Sequence, residues 1–484
     1  MTTIATTGGS SPRRGGVEST ADAFPEAITF RRLDLGAVAR GDEVAVGEYL
    51  RLTRRGAVPD PAVRAAARLT LADVRQRGDT AVREANERVG GGRPDGVLVI
   101  ERAALTAARD SLLPEIRRAL DQAIDNVARF ARIQRPASTT TEIIPGVEIE
   151  RRWEPLASVG SYVPGGSAPY PSSLVMTVVP AQVAGVGRIV VASPANRDGR
   201  TDPVLAGVAG MLGVDALVVA GGAQAIGALA YGLPEAGIAP VDSIVGPGNA
   251  WVTAAKIEVC GEVGIDLPAG PSEGLVLAAP PADPRRVALD LITQAEHGPD
   301  SPALLVTTDR DFADAVEREV DERLRSALRR DILCRSLGTH GRIVLAPDLD
   351  AAIDFANAYG PEHLSVDVEP LEPVVARLRN AGSLFVGPWA PESAGDYATG
   401  ANHVLPTGGL ARSSGGLSVD AYGKYVQVQR ITRAGLEAIA ATVTTLAEAE
   451  GLHAHRDAVT ARFELEGSPS TAPESRAMVP GSER

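Results

Sequence analysis

The chain has 484 residues, 44% hydrophobic and 23% charged, with a formal net charge of −13 and a pI near 5.1. That length suggests two or three domains and leaves ample chain for a large core. So acidic a surface repels nucleic acid and anionic membrane, and two cysteines, Cys260 and Cys334, exclude a disulfide framework or a cysteine-based zinc module.

In chain order, the first twenty residues are small and polar and lack the apolar run of a secretory signal. With the cysteine usage, this fits a reducing cytoplasm. Asp60-Pro61 opens a helix that runs to Arg77, and Arg102–Arg132 carries apolar residues at helical spacing. From Pro155 to Gly187 no residue is charged, but the five prolines there rule out a membrane helix. It reads as a strand, a packed loop and the start of a buried helix. Strand-like runs follow at Arg188–Ser193, Ala216–Ala220, Ser243–Val245, Leu275–Ala278, Ala303–Thr307 and Ile343–Leu345, mostly separated by helical stretches. That alternation is the signature of parallel α/β sheets. After about Gly408 the pattern turns helical again, with Thr432–Glu450 the clearest amphipathic segment. The last nineteen residues, rich in Ser, Pro and Glu, read as a second flexible tail.

Lysine occurs only at 256 and 424, neither in a Schiff-base or P-loop context. Histidine occurs only at 297, 340, 363, 403, 453 and 455, so the placement of these six is informative. No G-x-G-x-x-G is present. Two glycine turns, Gly221-Gly222-Ala223-Gln224 and Gly246-Pro247-Gly248-Asn249, each follow a strand and open a helix. Such a junction places backbone N–H groups where an anion binds, and it serves equally as a tight connection. Two of them in one sheet point to a nucleotide crevice.

In LITQAEHGPD, Gln294 and His297 lie three apart on one helix face while Glu296 points elsewhere. Gly298-Pro299 ends the helix and leaves His297 at its C-terminal mouth, which favours a cation; the pair serves equally as a cap or core arrangement. In YGPEHL, Glu362 and His363 follow a Gly-Pro break, either as an acid and base facing one cleft or as an exposed turn. ESAGDYATGANHVLPT holds Asp396 and His403 in a glycine-rich stretch, with a turn at Asp396 as the alternative. AEAEGLHAHRD places Glu450, His453 and His455 near the end of the last amphipathic segment; the two histidines face different ways on a helix.

Together, SYVPGGSAPYPSS, GGAQAIGALAYG, VGPGNAWVT, DLPAGPSE, QAEHGPDS, YGPEHL and ESAGDYATGANHVLPT resemble the histidinol dehydrogenase family, in its order and over about residues 30–463. The resemblance implies oxidation of L-histidinol to L-histidine through L-histidinaldehyde, the last steps of histidine biosynthesis. It implies two NAD+ consumed per turnover and one bound Zn2+ per subunit. Gln294, His297, Asp396 and His455 match zinc ligands that also meet the substrate. His363 matches the general base and Glu362 the group that activates water. Ser272, His403 and Glu450 match further substrate contacts, and Tyr162, Gln224 and Asn249 match the cofactor contacts. The resemblance further implies a homodimer in which the C-terminal arm completes the partner's site.

The expected fold is two Rossmann-like parallel-sheet units without the standard glycine fingerprint, plus a helical N-terminal segment and a C-terminal helical arm. The expected borders are flexible tails over 1–27 and 466–484, a first unit from 28–160 and 275–407, an inserted NAD-binding unit over 161–274, and a dimerisation arm over 408–465. One rival function is a paralogous zinc- and NAD-dependent dehydrogenase of the same fold acting on another small alcohol or diol. A zinc hydrolase is a second rival, but it leaves the glycine junctions without a task.

Overall fold

The computed structural model describes residues 28–165 and 169–465; both expected tails lie outside the described residues. Two six-stranded sheets, each clothed by helices, form the body of the chain. Across the first sheet the strands run Arg31–Asp34, Arg342–Leu345, Ala303–Thr307, Gly274–Ala278, His363–Asp367 and Ser383–Val386, all parallel. Across the second they run Val99–Glu101, Ala216–Val219, Arg188–Ser193, Ser158–Tyr162, Ser243–Val245 and Gly264–Ile265. Only Val99–Glu101 is antiparallel there. In each sheet the first strand in sequence lies at one edge, and the other five start in the middle, wind one way and then return to wind the other, which is the doubly wound order. The central strands are buried on both faces, hence their continuous Val, Leu, Ile and Ala runs.

Local sequence signals set the helices. Asp60 caps the Pro61–Arg77 helix, with proline at the first helical position, where no N–H is needed. The Arg102–Arg132 pattern is divided between Arg102–Asp110 and Pro114–Gln134, because Pro114 opens a new helix. The uncharged 155–187 stretch forms the Ser158–Tyr162 strand and the buried Pro171–Ala184 helix. Among the described residues no helix is long and apolar enough to cross a membrane.

Two expectations differ from the structure. Residues 61–134 were expected with the first unit, yet Leu71 and Val74 pack under the second sheet on one face and Leu105, Leu120 and Val127 on the other. The second unit therefore begins near residue 60, because its helices need that sheet to bury their apolar stripes. A border at 161 would also cut the Ser158–Tyr162 strand. The stretch after Gly408 is not wholly helical either. Gly423–Ile431 is a strand, paired antiparallel with Val147–Pro155, which pairs in turn with Thr139–Ile144. The Arg433–Ala449 helix follows, capped by Thr432, and packs against His453–Leu465.

Candidate active site

Three of the four histidine-bearing motifs, those of His297, His363 and His403, converge at the amino-terminal ends of the first sheet's central strands. Gly274 and His363 pair across neighbouring strands, so Ser272–Glu273 and Glu362–His363 lie side by side. The Pro284–Glu296 helix runs back over the sheet and delivers Gln294 in its last turn and His297 at its C-cap. Glu392 and Asp396 come from the short Glu392–Tyr397 helix at the i,i+4 spacing that shares one face.

Gln294 is buried and spans the site. Its Nε2 donates to Ser272 Oγ at 3.2 Å, and its Oε1 lies 3.1 Å from His363 Nδ1. An amide oxygen can only accept, so this contact makes Nδ1 the donor of a neutral ring and leaves Nε2 with its lone pair free. His363 Nε2 is buried without a hydrogen-bond partner among the described residues. Burial pushes the pKa of His363 well below the usual value, and the neighbouring His297 and His403 add to this. The ring is therefore neutral and able to accept a proton.

Beside it, Glu362 Oε2 accepts from the Glu273 N–H at 3.0 Å. Burial pushes the Glu362 carboxyl well above the usual range, against the pull of the Glu273 N–H and Ser272 hydrogen bonds. Glu392 is 3% exposed, and its Oε1 lies 3.5 Å from His363 Nδ1 and 3.7 Å from His297 Nδ1, also without a hydrogen bond. Burial raises its pKa too, reinforced by Asp396 and Glu362. His403 sits behind Asp396, with Nδ1 3.0 Å from the Asp396 carbonyl oxygen and Nε2 3.2 Å from Ser173 Oγ.

Donor atoms of His297, Glu392 and Asp396 lie within 4.8 Å of one another. One nitrogen and two carboxylate oxygens at that spacing suit a divalent ion, and the orphaned Glu392 oxygen fits such a ligand. Of the four expected zinc ligands, the fold thus gathers His297 and Asp396, with Gln294 next to them. His455 is exposed on the C-terminal helical pair, as is Glu450, and among the described residues no hydrogen bond or ion pair ties either to this cluster. Glu392 is the member that sequence reasoning missed, although its spacing from Asp396 was a readable signal.

The expected cofactor residues lie at the carboxyl ends of second-sheet strands, flanking the point where strand order reverses. Tyr162 ends its strand; burial pushes its phenol up to about 12, with the Gly222 N–H pulling the other way. Gln224 Nε2 donates to Asn86 Oδ1 at 3.2 Å. Asn249 is the N-cap of Ala250–Val259, accepting from the Trp251 and Val252 N–H groups. Gly246 has φ +112°, and a Cβ there would lie 2.1 Å from the Tyr162 carbonyl oxygen, so only glycine fits this turn.

Two doubly wound sheets and a buried imidazole–carboxylate cluster define an α/β protein with an acid–base site. The chain matches the histidinol dehydrogenase family profile over residues 53–463, and it belongs to that family. It is 48% identical over 423 residues to the histidinol dehydrogenase of Leifsonia xyli subsp. xyli, covering 84% of this chain and 95% of that protein. It is 46% identical over 394 residues to that of Methanothermobacter thermautotrophicus, covering 81% and 91%. The crystal structure of histidinol dehydrogenase from Elizabethkingia anophelis superposes with a TM-score of 0.82 at 33% identity, covering 91% of this chain and 99% of that one.

Proposed function

We propose that this chain oxidises L-histidinol to L-histidine through L-histidinaldehyde, with NAD+ and one zinc ion per subunit, as a cytoplasmic homodimer serving histidine biosynthesis. The observation that carries the reading is His363. It is a neutral, buried imidazole whose Nε2 lone pair has no partner among the described residues and whose Nδ1 is fixed by Gln294. That is the state a base needs before it can take the proton of an alcohol.

Tyr162, Gln224 and Asn249, at the carboxyl ends of the second sheet, would hold NAD+, which would supply the acceptor for the hydride released as the carbonyl forms. His297 and Asp396, with Gln294 and with His455 of a second copy of the chain, would hold the zinc ion, which would supply a grip on the amino alcohol that fixes its pose. Glu392 offers a further oxygen there.

In the first oxidation His363 Nε2 takes the hydroxyl proton. In the second, Glu362 takes a proton from the water that adds to the aldehyde carbon while His363 returns its proton to the aldehyde oxygen, and the neutral ring then takes a hydroxyl proton of the resulting hydrate as the second hydride leaves. Ser272, already bonded to Gln294 and Glu362, can turn its hydroxyl to the substrate. The buried walls keep the aldehyde from bulk water between the steps.

The test uses purified protein, L-histidinol and excess NAD+, with and without a chelator. The expected result is two NADH per histidinol, with activity lost on chelation and restored by zinc. His363→Ala abolishes NADH formation while zinc is retained. One NADH per substrate makes the chain a simple alcohol dehydrogenase, and none with histidinol but some with another small alcohol makes it a paralogue.

A further inference from the structure

Glu273 stands immediately before the Gly274–Ala278 strand, and its backbone brackets the acid–base pair. Its N–H donates to Glu362 Oε2 at 3.0 Å, and its carbonyl oxygen accepts the His363 N–H at 3.2 Å. Any shift of this one residue therefore moves both groups. Its carboxyl is buried, so it needs a reason to be there.

The reason lies where the chain passes between its two sheets. Residues 54–60 leave Leu52 in the first-sheet core and enter the second-sheet core at Ala67. Residues 266–273 run back from the Gly264–Ile265 strand to Gly274–Ala278. Residues 387–416 leave the Ser383–Val386 strand and reach the second-sheet core at Val404 and Leu417. The Glu273 carboxyl ties all three. One oxygen forms an ion pair with Arg55 of the first crossover, and the other accepts the Gly408 N–H of the third at 3.0 Å. Arg55 is itself fixed, with Nη2 2.7 Å from the Tyr359 carbonyl oxygen and its guanidinium 3.6 Å above the Tyr359 ring. Gly408 packs so close that a Cβ there would lie 2.8 Å from the Ala57 nitrogen.

We infer that Glu273, locked by Arg55 and the Gly408 N–H, is the positioning residue of Glu362 and His363. It ties their placement to the seam between the sheet that carries the acid–base pair and the sheet proposed to carry the cofactor. The inference rests on the proposed dehydrogenase reading for its kinetic consequence but not for its geometry. Gln at 273 puts an NH2 group in place of one accepting oxygen, so either the Arg55 tie on Oε2 or the Gly408 tie on Oε1 is lost.

The experiment compares wild type with Glu273→Gln, Arg55→Met and Arg55→Lys, each checked for an intact fold by circular dichroism. With L-histidinol and NAD+, Glu273→Gln and Arg55→Met are expected to lose tenfold or more in kcat with KM for histidinol within threefold. Arg55→Lys, which keeps the charge, recovers at least half of that loss on a logarithmic scale. An unchanged kcat, or a rise in KM that matches the fall in kcat, overturns the inference. A second readout needs no turnover. Amide hydrogen exchange over residues 270–275 and 405–410 is expected to quicken at least tenfold in Glu273→Gln and Arg55→Met, and unchanged protection there overturns the inference. If the wild type fails to oxidise histidinol, the dehydrogenase reading falls and the exchange result alone decides this one.

Discussion

Gly274→Ala adds one methyl group and removes no functional atom, so it isolates the role of the Gln294 amide. A Cβ at 274 would lie 2.7 Å from Gln294 Oε1, 2.8 Å from Cγ and 3.0 Å from Cδ, whereas ordinary contact begins at 3.4 Å. The amide must retreat by roughly 0.7 Å, which takes Oε1 beyond good hydrogen-bonding range of His363 Nδ1, now 3.1 Å away. Overpacking of a buried strand costs about 1–3 kcal/mol. The lost hydrogen bond adds about 1 kcal/mol. At the lower end, about 2 kcal/mol, the melting point falls by about 4–8 °C if a unit of roughly 200 residues melts together. Catalysis suffers separately, because the ring loses the acceptor that fixes Nδ1 as donor; a penalty of about 1.4 kcal/mol is a tenfold loss of kcat. Differential scanning fluorimetry and initial rates of NADH formation measure the two effects. A melting point within about 1 °C of wild type refutes the packing of Gln294 against Gly274. A lowered melting point with unchanged kcat refutes the tautomer role of Gln294.

Four further outcomes are expected. Glu362→Gln slows the second oxidation more than the first, read as the NADH bursts of a single turnover, and equal slowing refutes its water-activating role. Because burial raises the Glu362 pKa and the ionised form is the base, aldehyde oxidation by wild type falls as pH drops through a limb above the usual carboxylate range. His455→Ala lowers zinc per subunit measured by elemental analysis, and unchanged metal content removes it from the ligand set. Asp290 has its pKa raised to about 6 by burial, with Asp367 adding and Arg286 opposing. A folded value above the ordinary 3.8 means its proton is held more tightly in the folded state, so its contribution is full below about pH 4 and lost as pH rises through about 6. Asp290→Asn therefore raises stability by about 1–3 kcal/mol near pH 8 and by little near pH 4. A shift of equal size at both pH values refutes the burial cost.

The doubly wound sheets were legible because central parallel strands are buried on both faces and must be apolar throughout. The runs at Arg188–Ser193 and Ala303–Thr307 could hardly be anything else. Caps with a side-chain acceptor were legible too, as at Asp60 and Thr432. The three-stranded sheet was not. Val147–Pro155 reads VEIERRWEP, with charges on both faces, and its partner Gly423–Ile431 lies some 270 positions onward. A half-exposed strand whose stability comes from a distant partner leaves little local pattern. The border between the units failed for a related reason. Amphipathic helices over 61–134 announce that they need an apolar surface but not which sheet supplies it.

At the site, sequence legibility followed side-chain type. Histidine is rare here, so His297, His363 and His403 stood out, and the fold brings all three around Gln294, Glu362 and Asp396. Glutamate is common, so only the i,i+4 spacing from Asp396 marks Glu392 in the sequence. Beyond that spacing, its role shows after folding, as a buried acid whose Oε1 faces two imidazoles. Glu273 was hidden more deeply, because its role is carried by its backbone and by a carboxyl turned to Arg55, 218 residues earlier. What a motif shows is the group that touches substrate. What holds that group in place is distributed over crossovers that meet only in three dimensions, so the seam between the sheets, rather than any one motif, sets the geometry on which Glu362 and His363 depend.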